Sequence, residues 1–250
     1  DYVTAASPGI ARAYANSCGV KEPTVVLNVF PKSEAPATVS DKGVATPGPS
    51  LYWFSQTLGP DRGLETVIEA IGLSRTRPML YLRGSPVPGY QRQLMVLAKR
   101  YGVENQLQFL LPVLPVDMVR LAAQYDVGLA AELDVTINRD ICLTNKIFTY
   151  LLAGIPALAT STRAQSEIST EMEGAIFLYP QNEPHILAER IDKIFLGKNI
   201  LSQARRSAWR LAHIRFNWEM ESAIFLKTIF HCLGYFPNSI ETVGGSINRV

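Results

Sequence analysis

From residue 51 onward, short apolar runs alternate with longer amphipathic stretches. "LYWF" (51–54), "MLYLR" (79–83), "LQFL" (107–110), "DVGLA" (126–130), "PALA" (156–159) and "AIFL" (175–178) have the length and compactness of buried strands. Apolar residues at helical spacing fill the intervals, over 62–73, 90–101 and 116–124, from 145, near 164 and after Pro184. Strand and helix in strict succession predict an α/β fold: a Rossmann-like, doubly wound parallel sheet covered on both faces, with right-handed crossovers. Two more helices, 201–214 and 218–233, close the pattern, and the last residues look frayed. Ahead of the sheet, residues 1–31 read as strand, helix, strand, with Ser7 as N-cap and Pro8 at the first helical position. Residues 32–50, rich in Pro, Ser, Gly and Thr, lose every hydrophobic period and read as a linker. The predicted organisation is therefore 1–31, linker 32–50, sheet domain 51–215, closing helix 216–236 and tail 237–250.

Composition narrows the function classes. With 250 residues, 47% of them hydrophobic, the chain buries a substantial core. A net charge of +2, with Lys and Arg scattered, gives no electrostatic case for nucleic acid. No apolar run approaches the roughly 18 to 20 residues of a membrane span, and the first residues lack the basic start and apolar block of a signal peptide. The chain starts with Asp, which suggests a processed or truncated piece of something longer. Cys18, Cys142 and Cys232 are scattered, as free thiols of a reducing compartment are, and His185, His213 and His231 have no partners at metal-ligand spacing. No metal site is expected.

A doubly wound sheet of strand order 3-2-1-4-5-6 binds ligands where the winding reverses, outside the carboxyl ends of its first and fourth strands. Those two strands are "LYWF" and "DVGLA". The loop after the first leads to a helix at Arg62, and the loop after the fourth leads to the helix that opens with Asn145 and Lys146. A cation in a first helical turn opposes the peptide dipoles, so its presence in both helices points to an anionic ligand, a phosphate or diphosphate held by amides and charge together. Asp61 is the expected cap of the first helix, with Gly63 letting backbone approach the ligand, and Thr144 is the expected cap of the second. Asn145, Lys146 and Thr149 fall on one polar edge. Gly84 suits a tight turn or a close backbone approach. Glu132 is placed to bond a sugar hydroxyl or to face solvent, whereas Trp53 and Tyr150 read as core. Neither the dinucleotide fingerprint G-x-G-x-x-G nor the P-loop pattern occurs, so NAD and ATP hydrolysis lose ground. The residues alone stop at a phosphate-bearing ligand.

The stretches "LYWFSQTLGPDRGLETVIEAIG", "LYLRG", "YDVGLAAE" and "LTNKIFTYLLAGIPALAT" resemble the C-terminal, nucleotide-sugar-binding domain of glycosyltransferases of the GT-B fold, particularly the bacterial family 4 type. Residues 1–31 are similar to the last strand-helix-strand of that family's N-terminal acceptor domain, otherwise missing here, and "FNWEMESAIFLKTIF" is similar to the family's closing helix. The resemblance implies a cytoplasmic, metal-independent and retaining transfer of a sugar from a nucleotide-diphosphate sugar to an unknown acceptor. It calls for no cofactor besides that donor, and places any membrane contact in the missing domain. Arg62 falls where the family holds the diphosphate with a basic residue, and Asn145-Lys146 match the N-K of N-K-x-F-E-Y. In this reading Arg62 and Lys146 form the catalytic pair, stabilising the leaving diphosphate, while Gly59, Gly63, Gly84, Glu132, Asn145 and Thr149 contact the nucleotide-sugar. Three positions depart from the family: Thr57 stands for a second basic residue, Thr149 for the glutamate on the ribose, and Ile141 for another common glutamate. They leave open two other readings, a non-catalytic nucleotide-sugar binding module and a GT-B-type epimerase.

Overall fold

The computed structural model describes residues 2–38, 46 and 48–234. The expected tail 237–250 and most of the middle of the linker lie outside the described residues.

Residues 2–25 form a small parallel unit, β1 (Thr4–Ala5), α1 (Pro8–Cys18) and β2 (Thr24–Val25). Ser7 caps α1 by accepting from the Ile10 amide at 3.2 Å, and Gly19, at φ 64°, ends it in the left-handed region that glycine enters without a steric penalty. The second strand is shorter than the apolar run "TVVLNVF" suggests. The Leu27 amide leaves the ladder to donate to the buried Glu221 carboxylate at 2.8 Å.

The main body runs β3 (Ser50–Leu58), α2 (Leu64–Leu73), β4 (Met79–Pro86), α3 (Tyr90–Arg100), β5 (Leu107–Leu110), α4 (Met118–Ala122) and β6 (Val127–Ala130). It continues through α5 (Ile137–Ile141), α6 (Asn145–Leu152), β7 (Ala157–Thr160), α7 (Arg163–Ser169), β8 (Ile176–Tyr179), α8 (Pro184–Leu196), α9 (Ile200–Ile214) and α10 (Trp218–Cys232). The six strands β3 to β8 are all parallel in the order β5-β4-β3-β6-β7-β8, which is the doubly wound 3-2-1-4-5-6 arrangement expected from the sequence.

Alternation along β3 divides the core. Leu51 and Trp53 join Leu80, Leu82 and the apolar faces of α2, α3 and α8, while Tyr52 and Phe54 point to the other side, toward α4, α6 and α9. At the amino ends of the strands, Asp126 accepts from the amide and hydroxyl of Ser50 at 3.0 and 2.8 Å, with Arg205 at 3.5 Å. That polar cluster staples β3 to β6 at the end of the sheet opposite the loops expected to bind a ligand.

The first unit docks on this body through α5 and α7. Ser7 donates to the Ile141 carbonyl at 2.6 Å, Gly9 packs so closely that a Cβ would sit 2.8 Å from that of Ile141, and Arg12 makes a two-pronged pair with Glu167. Helix α10 returns to the segment that follows this unit, its first amide, Trp218, donating to the Phe30 carbonyl at 2.9 Å. Among the described residues no helix is long and apolar enough to cross a membrane.

Candidate functional site

The loops after β3 and β6 meet at the carboxyl edge of the sheet, and glycine is what lets them meet. Gly63 takes φ 68° just before α2, where a Cβ would lie 2.6 Å from the Ala131 carbonyl at the end of β6. Two positions before it, Asp61 is itself left-handed at φ 58°, and its carbonyl accepts from Arg139 of α5. The Asp61-Arg62-Gly63 turn is thereby folded against the neighbouring loop. One expectation is corrected: α2 begins at Leu64 rather than Arg62, with no side-chain cap from Asp61, while the smallness of Gly63 serves a close contact with the Ala131 backbone.

Beside this junction opens a cleft of about 460 Å³. One wall is the end of β3, Phe54 to Thr57, with Arg62 beyond it, and another is Arg83 at the end of β4. The loop before α4 contributes Pro112, Val113 and Pro115 with Met118, the first turn of α6 contributes Asn145 and Lys146, and Phe30 reaches in from the segment that follows the N-terminal unit. Three of the residues singled out from the sequence, Arg62, Asn145 and Lys146, are thus brought to one cleft. Gly59, Gly63, Gly84, Glu132 and Thr149 are not among the residues lining it.

Each of these has a geometric reason. Gly84, at φ 149°, would put a Cβ 2.4 Å from the Ser55 carbonyl, where the β3–β4 register slips between Phe54 and Thr57, so it is a close approach of two strands. Gly59 faces only Val87 at ordinary contact distance. Thr149 is fully buried and donates to the Asn145 carbonyl at 3.0 Å, a bond internal to α6, so the polar edge expected to include it is only Asn145 and Lys146. Trp53 and Tyr150 are core, as expected.

Lys146 departs most from expectation. Its ammonium lies 2.7 Å from Glu132 Oε1, both side chains are almost fully buried, and Trp53 lies beneath it at 5.6 Å. Glu132 therefore does not face solvent, and its carboxylate is engaged by Lys146. It also accepts from Thr144 at 3.3 Å, which explains why Thr144 sits at the N-cap position of α6 without capping it. Burial pushes the Glu132 carboxyl up, but the charge and hydrogen bond of Lys146, the charge of Arg62 and the Thr144 hydroxyl outweigh it and hold the group below its usual range.

Among the cleft residues that the sequence reading did not single out, Arg83 and Phe30 stand apart. Arg83 is signalled by parity: it shares the face of Tyr81, Tyr52 and Phe54, so it turns inward beneath α4, although a lone arginine at a strand end suggests solvent. Taken together, the cleft presents two guanidinium groups, the amide side chains of Gln56 and Asn145 and the amino end of α6, a donor set suited to anionic oxygens. Among the described residues no group of three or more His, Cys, Asp and Glu is placed to hold a metal ion.

No protein-family model and no curated protein matches the sequence. Solved structures do. HepE from Anabaena, in complex with UDP, superposes with a TM-score of 0.76 at 22% identity over 93% of this chain and 64% of its own. The fold is that of GT-B glycosyltransferases. A glycosyltransferase from Rickettsia africae gives a TM-score of 0.77 at 16% identity, covering 96% of this chain and 64% of that one. Sucrose-phosphate synthase from Thermosynechococcus elongatus gives 0.76 at 15%, covering 94% and 58%. The chain thus spans about 64% of the length of the first two GT-B structures, and at these identities the likeness is one of fold.

Proposed function

We propose that this chain is the donor-binding part of a glycosyltransferase that moves a sugar from a nucleotide-diphosphate sugar to an acceptor. The observation that carries the reading is the meeting of Arg62 and the amino end of α6 in one cleft at the switch point of the sheet. When the bond between the sugar C1 and the phosphate oxygen breaks, its electron pair stays on the diphosphate. Arg62, the α6 amides and Lys146, with its charge shared with Glu132, would stabilise that growing charge in the role a divalent metal serves elsewhere. The new bond joins C1 to an acceptor hydroxyl, whose proton is lost. HepE has been solved with UDP and with UDP-glucose, which makes uridine the first nucleoside to test here. A retaining outcome, a cytoplasmic setting and independence of any further cofactor belong to the same proposal and rest on the family resemblance.

One observation favours a second reading, a nucleotide-sugar binding module. Thr149 is buried and Ile141 is covered by Gly9, so neither position offers a carboxylate or an open contact to the cleft.

Calorimetric titration with UDP, GDP and their sugars tests the site. Binding of at least one nucleoside diphosphate is expected, weakened tenfold or more by Arg62→Ala and reduced by Lys146→Ala. Unchanged binding in both variants rejects the site. Release of free sugar or transfer to an added acceptor separates the enzyme from the module.

A further inference from the structure

Arg83 is about nine-tenths buried, at 9% exposure, and still lines the cleft. Its Nε donates to the Tyr52 hydroxyl and its Nη1 to the Leu111 carbonyl, both at 2.8 Å, and the guanidinium stands 5.8 Å from the Tyr52 ring centroid. Tyr52 is in turn stacked on Tyr125, with centroids 4.4 Å apart and planes within 5°. The side chain is therefore held in one orientation by groups that carry no charge.

Its neighbour in the cleft is in the opposite position. Lys146 has a buried carboxylate against it, whereas no carboxylate pairs with Arg83 among the described residues. Burying a cation against neutral partners alone is costly, and the cost falls when an anion completes the set. A guanidinium carries five N–H donors in a planar fork, so the bonds to Tyr52, Leu111 and the neighbouring Tyr125 hydroxyl still leave others for a ligand, in a geometry that suits phosphate oxygens. The facing wall of Pro112, Val113, Pro115 and Met118 has no charged side chain to offer. Arg62, Arg83 and Lys146, less Glu132, leave the cleft with two positive charges, which match a doubly charged diphosphate.

We infer that Arg83 is a phosphate-binding residue of this cleft, acting with Arg62 on the diphosphate while Lys146 is shared with Glu132. The inference rests on the nucleotide reading above. Thr57 lines the same cleft at the end of the neighbouring strand, so charge lost at 83 can be returned from 57.

The test uses the whole chain with UDP, inorganic pyrophosphate and uridine as separate ligands. Arg83→Gln is expected to weaken UDP and pyrophosphate tenfold to a hundredfold and to leave uridine unchanged, and Thr57→Arg added to Arg83→Gln is expected to recover part of the loss. Because Arg83 also braces Tyr52, a second measurement needs no substitution. In the wild-type protein the side-chain nitrogen resonances of Arg83 should shift with pyrophosphate and stay fixed with uridine. Wild-type chain that binds neither UDP nor pyrophosphate overturns the nucleotide reading and this one with it. Wild-type chain that binds them while the Arg83 resonances stay fixed, or an Arg83→Gln loss equal for uridine, overturns only the assignment of Arg83 to phosphate.

Discussion

The Lys146 ammonium and the Glu132 carboxylate, fourteen residues apart, lie 2.7 Å from each other with side chains 7% and 8% exposed. Removing one member of a buried pair leaves the other charge without compensation, at a cost of about 3–5 kcal/mol, while replacing both with apolar groups of similar size is often neutral. Glu132→Gln is expected to lose stability on that scale in urea unfolding, and Glu132→Gln with Lys146→Met to regain most of it. A double variant no better than the single one would mean that the loss does not come from leaving the Lys146 charge uncompensated.

Acid stability follows from the same carboxyl. Its folded value lies below the ordinary glutamate value of about 4.3, so its contribution is complete above that pH and disappears as pH falls through the lower folded value. The wild-type unfolding free energy should therefore decline more steeply below about pH 4.3 than that of the doubly substituted protein. Asp140, Glu167 and Asp192, also held below their usual range, titrate in both proteins and cancel from the comparison. Parallel acid limbs would show that Glu132 is not the group responsible.

Thr149 gives the cleanest separation between fold and ligand. Thr149→Ala removes the bond to the Asn145 carbonyl and one buried methyl group, so stability should fall by about 1–2 kcal/mol while UDP affinity changes by less than a factor of about two. Thr149→Glu forces an unpaired carboxylate into a fully buried position and should cost several kcal/mol. A large affinity loss in a well-folded Thr149→Ala protein would restore this residue to the ligand site.

Gly128 shows how α6 is seated. A Cβ there would come 2.2 Å from the Tyr150 ring, and Tyr150 cannot swing away because its hydroxyl donates to the Leu129 carbonyl at 2.9 Å. Gly128→Ala should destabilise by about 1–3 kcal/mol or more, and removing the ring and its Cγ with Tyr150→Ala should relieve the clash, so that the two losses do not add. Thermal unfolding of the single and double variants checks this, and additive losses would argue against the contact.

Much of this architecture was written in the periodicity. Runs such as "LYWF" and "DVGLA" are too short and too apolar for anything but buried strands, and their alternation with helices left one strand order to expect. The switch-point cleft followed from it. What the pattern could not carry was conformation set by single residues and partners set by tertiary contact. Asp61 and Gly63, both at positive φ, delay α2 by two residues. Thr136 starts the unforeseen α5 inside what read as a polar loop, by accepting from the Arg139 amide. Glu132 and Lys146 looked like separate ligand contacts because nothing in their spacing shows that they meet, and Arg83 was not singled out because its inward face depends on the neighbouring strand.

Phe30 connects two parts of the molecule that are far apart in sequence. Its side chain stands on the wall of the cleft, and its carbonyl takes the first N–H of α10. One residue thus serves both the wall of the cleft and the seat of the last helix, so a change of backbone at position 30 bears on both.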